Sequence, residues 1–449
     1  RGVIARVDTD HRTGVERVED HTAPGAVTVR HRIVRDRLGR IIERARDEQT
    51  TRWEYDPDGR RTHMATPGGD TVVYGYDLTG QLARVEHTVF GVIEYAYDSV
   101  GNLLSAQAGN TTQVWDYENG FPTSYLLTDD AGVQTTRILR DHEGRVVAIE
   151  APSGATRYEH DEACQLVAAL ATDGTRRWRY DDAGRMTQET KDGETIIYRY
   201  DIGGQLIERS TSAGTQRYEY DQAGRRTRDH GLEGIREFEW DPRGYLTRIS
   251  EDGKESQLWV DALGELAGVD GQSLFWDSAA IFPTLNEVGQ TTTLAVPGVF
   301  GGPSGGLQPQ GWRPSRNTQA MDPWTADFST NAAPGGPGLA LTVQGMPQIA
   351  GLEWMGARSY DPVSRGFLSV DPQEPAVGAS WAGNPYSYAG NDPLHQLDPL
   401  GLSPLTDSDV KSTGNGFDLQ NWSWITSVLT ALGSPGAIYD SAVTTAKHA

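Results

Sequence analysis

From residue 141 onward the chain alternates apolar and polar residues in runs of six or seven, and each run is cut at the same phase. The segments TRRWRYDDAGRM, TIIYRYDIGGQL, TQRYEYDQAGRR and IREFEWDPRGYL place two aromatics two residues apart, then Asp-x-x-Gly, then usually an aliphatic residue. Period-2 alternation interrupted by a turn predicts a β-hairpin. Asp141, Asp161, Asp181, Asp201, Asp221, Asp241 and Asp261 recur in twenty-residue steps, each followed three positions later by Gly144, Cys164, Gly184, Gly204, Gly224, Gly244 and Gly264. An Asp carboxylate at the first turn position accepts a backbone N–H two residues on, and Gly supplies positive φ at the exit. A second Gly-bearing turn falls about halfway between, at Gly154, Gly174, Gly193, Gly214, Gly234 and Gly253, so each unit is two strands and two turns.

With looser spacing the ladder extends upstream through Asp36-Gly39, Asp56-Gly59, Asp77-Gly80, Asp98-Gly101 and a degenerate Asp116-Tyr117-Glu118-Asn119-Gly120, twelve units in all. Two strands per unit at about 4.8 Å spacing make a sheet roughly 115 Å wide. Side chains fill a closed sheet of only about eight strands, so a sheet of this girth should wrap a hollow. Residues 37% hydrophobic and a mean hydropathy of −0.54 suit a wall wetted on both faces. Residues 1–270 are therefore expected to form one continuous, curved β-shell. The repeat character is already present near Arg1, so the array is expected to belong to something longer.

A net charge of −22 argues against a nucleic-acid-binding surface and favours solubility or a basic partner. The single cysteine, Cys164, rules out internal disulfides and stands where its siblings have Gly. No signal peptide or membrane span is visible. The ten histidines form no H-x-x-x-H pattern and no C-x-x-C accompanies them, so neither a metal site nor a cofactor is signalled. Residues 271–350 turn Gly/Pro-rich and are expected to continue the shell irregularly. Gly302-Pro303-Ser304-Gly305-Gly306 matches G-x-S-x-G but lies in a loop, not between a strand and a helix, and carries no catalytic inference.

Residues 351–402 are the chemically dense stretch. Four Asp-Pro dipeptides, at Asp361, Asp371, Asp392 and Asp398, lie among Arg358, Arg365, Trp354, Phe367, Trp381, Tyr386 and Tyr388. Any one of them is ordinary turn chemistry. Two carboxylates sharing a site cannot easily both ionise, and such a pair can activate water while protonating a leaving amide.

Here the residues carry a resemblance. The ladder is similar to the YD repeats of the Rhs family, and residues 354–402 resemble the Rhs repeat-associated core. The matching positions are Arg358, Tyr360, Asp361, Arg365, Phe367, Leu368, Ser369, Asp371, Pro372, Tyr386, Tyr388, Asn391, Pro393, Asp398, Pro399, Gly401 and Leu402. Gly366 after Arg365, and Gln373-Glu374 after Asp371-Pro372, depart from the usual pattern. The same shell occurs in Tc toxin C components and teneurins. The resemblance implies an all-β fold, a spiralling β-hairpin cocoon closed by a core plug. It also implies an aspartic self-protease over residues 351–402, with Asp371 and Asp398 as the catalytic pair, Arg358 as supporting cation and Leu402-Ser403 as the scissile bond.

Residues 403–449 are then the start of a variable C-terminal toxin region or a linker. The implied partners are that toxin segment, a cognate immunity protein and a secretion apparatus, for a bacterial protein that is secreted or at the cell surface. A different class of function is an adhesion or carbohydrate-binding array, in which exposed Tyr and Trp rows stack on sugars. The direction of Tyr180, Tyr200, Tyr220 and Trp240 separates the two.

Overall fold

The computed structural model describes residues 5–172, 174–232, 234–280, 283–302, 306–309, 322–325, 339–342, 345–375, 378–402 and 404–406. Between Ala5 and Thr292, twenty-nine strands join into one antiparallel meander in which each strand pairs with its neighbours in sequence. Among the described residues there is no α-helix, only the short 3-10 turns Pro24–Ala26 and Ala389–Asn391.

Each Asp-x-x-Gly is a turn, and its geometry explains the twenty-residue rhythm. Asp181 Oδ1 accepts the N–H groups of Ala183 and Arg185, both at 3.0 Å, and Gly184, at φ +74°, donates its own N–H to the Asp181 carbonyl at 2.9 Å. One carboxylate oxygen thus satisfies two donors that the sheet ladder leaves unpaired. Asp141, Asp201 and Asp221 repeat the pattern. The extra residue appears as a β-bulge, with Tyr180 opposite Met186 after a register shift.

The second carboxylate oxygen does a job that the sequence pattern did not reveal. Asp181 Oδ2 holds Arg185 at 2.7 Å, and Arg185 reaches into the next unit, lying 5.3 Å from the Tyr200 ring and donating to the Asp201 carbonyl at 3.3 Å. Tyr200 returns the contact by donating its hydroxyl to the Met186 carbonyl at 2.8 Å. Tyr180 does the same to Leu166 at 2.7 Å, and the Trp240 indole N–H to Arg226 at 2.6 Å. Tyr180, Tyr200 and Trp240, each standing directly before a turn Asp, are therefore lateral latches onto the preceding hairpin.

Cys164 occupies its turn at φ +60° and is exposed. A side chain in the left-handed region costs roughly 1–2 kcal/mol relative to Gly. Cys164→Gly should therefore raise the thermal midpoint measured by circular dichroism, by an amount corresponding to about 1 kcal/mol.

The meander curls until its end lies over its beginning. Arg44 binds Glu265 at 2.7 Å, and Arg46 donates to the carbonyls of Ala267 and Leu274 at 3.1 and 3.0 Å. The Trp53 indole meets Asp277 at 3.0 Å, and Gly68 N–H meets Glu287 at 2.6 Å. These partners are some eleven repeats apart in sequence, and side chains, not strand pairing, make the seam.

The wall is not wetted on both faces as its composition suggested. Its outer face carries exposed ion pairs, such as Arg177–Glu159 at 3.0 Å and Arg199–Glu208 at 2.8 Å. Aromatics on its inner face are buried because described residues after Thr292 pack inside the curl. Trp324, Tyr360, Phe367 and Tyr388 pack there against Trp53, Trp178, Tyr198 and Tyr218 in one buried cluster. Tyr180, Tyr200 and Tyr220 border that cluster, and Trp240 borders a second one with Trp354 and Leu368. The core is thus a plug seated on the wall's inner aromatics, which supplies the apolar burial that the polar composition seemed to lack.

Candidate active site

The hairpin of strands Leu352–Met355 and Arg358–Asp361 carries the central cation. Arg358 is almost wholly buried, with its guanidinium carbon 3.7 Å from the centre of the Phe367 ring. Its Nη2 lies 2.8 Å from Asp371 Oδ2 and 3.0 Å from Asp398 Oδ2. Because both oxygens touch one nitrogen, they are at most 5.8 Å apart, the sum of those two distances. Arg358 Nε donates to the Gly401 carbonyl at 2.6 Å, and Nη1 to the Pro385 carbonyl at 3.3 Å. Asp398 Oδ1 accepts the Leu402 N–H at 2.7 Å. Arg358, Asp371 and Asp398 therefore meet, and Leu402 is tied to them through its backbone.

Two glycines make this close approach possible. A side chain on Gly401 would strike the Met355 carbonyl and Arg358, and one on Gly356 would come within 2.8 Å of the Leu400 carbonyl. Both residues also have positive φ, +63° and +54°. Ala357 N–H then reaches the Leu400 carbonyl at 2.9 Å, so residues 400–402 lie against the hairpin. Beyond them, Leu405–Thr406 pairs antiparallel with Gln396–Leu397. Ser403 lies outside the described residues.

The four Asp-Pro carboxyls divide by environment. Asp361 is buried, but Arg236 and Arg226 outweigh that burial and hold it below the usual carboxylate range. Asp392 is also buried, which by itself would raise it, but the flanking His160 and His395 outweigh burial and hold it well below the usual carboxylate range. Asp371 goes the other way: burial, against the pull of Arg358 and with repulsion from Asp398, pushes it up to about 6. Asp398 is likewise raised, because its complete burial outweighs Arg358 and the N–H groups of Leu402 and Gly401. Burial in turn lowers the basicity of Arg358, although both carboxylates oppose it. Opposed demands on one cation leave a pair of carboxyls able to hold a proton near neutrality.

Other core residues singled out in the sequence fasten the plug to the wall. Arg365 binds Glu189 at 2.9 Å and Asp322 at 2.8 Å, while Asp361 binds the wall's Arg226 at 2.9 Å. Tyr386 donates to the Gly224 carbonyl at 2.8 Å, and Asn391 to that of Gly184 at 2.7 Å. The wall partners Glu189, Arg226 and Arg236 looked like ordinary strand residues in the sequence. The only available hint was that charged residues stand on the inward side of their strands.

Raised pKa values carry a stability cost with a definite sign. The fold favours protonated Asp371, so stability is lost as pH rises from the unfolded carboxyl value through about 6. Asp371→Asn should accordingly raise the thermal midpoint at pH 8 and change it little at pH 4. Parallel melts at the two values would check this, and an equal gain at both would show a packing effect instead.

A wall of repeated hairpins curled around a core plug defines a YD-repeat β-shell. Residues 124–268 match the family profile Teneurin YD-shell and residues 35–71 match RHS Repeat, which places the array in the Rhs/YD-repeat family. The crystal structure of TcdB2-TccC3-TEV aligns with a TM-score of 0.53 at 16% identity, covering 86% of this chain and 24% of that one. The structure of TcdB2-TccC3 without hypervariable C-terminal region gives the same values, and that of TcdB2-TccC3 a TM-score of 0.52 at 16% identity over 89% and 26%. The present chain thus spans about a quarter of those chains, and the likeness at this identity is one of fold. No curated protein matches it.

Proposed function

We propose that this chain is part of a toxin-encapsulating shell whose core cuts its own backbone at Leu402-Ser403, freeing the segment that follows inside the shell. One observation carries the reading. Of four Asp-Pro carboxyls, the two whose pKa is raised share Arg358, and that arginine also binds the Gly401 carbonyl beside the proposed bond. In the reaction one carboxylate takes a proton from water as the oxygen attacks the Leu402 carbonyl. The other carboxylic acid gives its proton to the departing Ser403 nitrogen, leaving a carboxylate on Leu402 and an amine on Ser403. Arg358 orients the carboxylates and the adjoining carbonyl.

Asp371 is the more accessible of the pair, with its side chain about one-fifth exposed, so it is the natural point of water entry. If it must hold a proton for the reaction, cutting slows as pH rises above about 6. Intact mass analysis of protein held at pH 5 and at pH 8 tests both the cut and this dependence. The inward-facing Tyr180, Tyr200, Tyr220 and Trp240 favour enclosure over an external sugar-stacking stripe. On this reading the released segment, an immunity protein and a secretion apparatus are the partners, and the protein acts outside the producing cell or at its surface.

A further inference from the structure

We propose that His160, Asp392 and His395 form a site for a divalent transition-metal ion of the zinc or cobalt class, which would staple the plug to the wall. His160 stands directly before Asp161, where the next four units have Tyr180, Tyr200, Tyr220 and Trp240. Tyr180, Tyr200 and Trp240 each latch onto a carbonyl of the preceding hairpin. The His160 ring instead turns to the plug: its side chain is 3% exposed and its Nε2 lies 3.6 Å from Asp392 Oδ1. Among the described residues that buried nitrogen has no hydrogen-bond partner, an arrangement that costs stability unless something fills it.

The plug supplies the other two ligands. A turn follows Ala389–Asn391, in which His395 N–H meets the Asp392 carbonyl at 3.1 Å, and it sets Asp392 and His395 side by side. His395 Nδ1 is 2.8 and 2.7 Å from the two Asp392 oxygens. The two imidazole rings are 5.2 Å apart, and the donor atoms of all three residues lie within 4.8 Å of one another. Two imidazole nitrogens with one carboxylate suit zinc, cobalt or nickel, whereas calcium and magnesium prefer all-oxygen sets. No short sequence pattern signals this site because its ligands come from wall and plug, far apart along the chain.

Coordination has one local cost. His395 Nε2 accepts the Val146 N–H at 2.7 Å, which keeps the ring proton on Nδ1, facing Asp392. A metal at Nδ1 moves that proton to Nε2, and the Val146 N–H must then give up its acceptor. The hydrogen bonds His395 makes with Val146 and with Asp392 are exchanged for three coordinate bonds, and the orphaned His160 nitrogen is satisfied.

The test uses the full chain, stripped with a chelator and dialysed, then titrated with Co²⁺ for its visible ligand-field bands and with Zn²⁺ during thermal melting. Uptake of about one ion per chain, with cobalt bands and a higher thermal midpoint, is expected. His160→Tyr restores the ring of the neighbouring units and keeps the wall folded, and it should abolish both responses, as should His395→Gln. Absence of cobalt bands and of any midpoint change in the wild-type chain would overturn the proposal. So would an undiminished response in either variant, and the trio would then be a hydrogen-bonded pin.

Discussion

Purified protein, denatured and weighed intact, should resolve into two pieces cut after Leu402, heavier together than the uncut chain by one water. Before denaturation the pieces should migrate as one particle, because Leu405–Thr406 stays paired with Gln396–Leu397 and the plug stays seated on the wall. Asp398→Asn and Asp371→Asn preserve shape but cannot exchange the proton, so each should leave the chain at full length while its circular dichroism remains that of the wild type. Arg358→Ala should slow cutting about ten- to a hundredfold, the rate equivalent of a charge-assisted contact of roughly 1.5–3 kcal/mol made in the transition state. A wild-type chain that stays whole at pH 5, or an Asp398→Asn chain that still yields a fragment beginning at Ser403, would reduce the carboxyl pair to a structural feature.

Arg226→Met should be the most damaging single change outside that site. Arg226 is buried; its Nη1 binds Asp361 at 2.9 Å, its Nη2 binds Ser364 at 2.8 Å, and its backbone N–H binds the Leu368 carbonyl at 2.8 Å. Methionine fills similar space but leaves Asp361 and Asp229 with Arg236 as their remaining nearby cation. Removing one partner of a buried charge network costs about 3–5 kcal/mol. The expected result is a large fall in thermal midpoint, with hydrogen exchange accelerating first over residues 358–368. Arg177→Met, which breaks the exposed pair with Glu159, is the matched control and should cost less than about 1 kcal/mol. Similar losses in the two variants would show that the plug is not held through Arg226.

Both expectations depend on contacts between parts of the chain that the sequence keeps far apart, and here the limits of reading it become clear. The Asp-x-x-Gly turns were legible because the whole mechanism lies within five residues: one carboxylate oxygen, two N–H donors and a glycine at positive φ. Strand alternation was legible for the same reason, since the pleat repeats every two residues. The lateral latches of Tyr180, Tyr200 and Trp240 lay within reach of the repeat but needed the bulged register to show which carbonyl each aromatic meets.

Alternation by itself determined that these residues form a long β-hairpin array, and resemblance in the core motif singled out Asp371, Asp398 and Arg358. What alternation could not state was which face of the sheet turns inward and what fills the space there. The polar composition suggested a wall wetted on both sides because it averages over the chain, whereas burial depends on where the chain returns. Only the tertiary structure seated Trp324, Tyr360, Phe367 and Tyr388 inside the curl, closed the seam between Arg46 and Leu274, paired Arg226 with Asp361, and left His160 facing Asp392. Those contacts join residues more than a hundred positions apart, so they arise from how hairpin twist accumulates around the wall and have no counterpart in any local pattern.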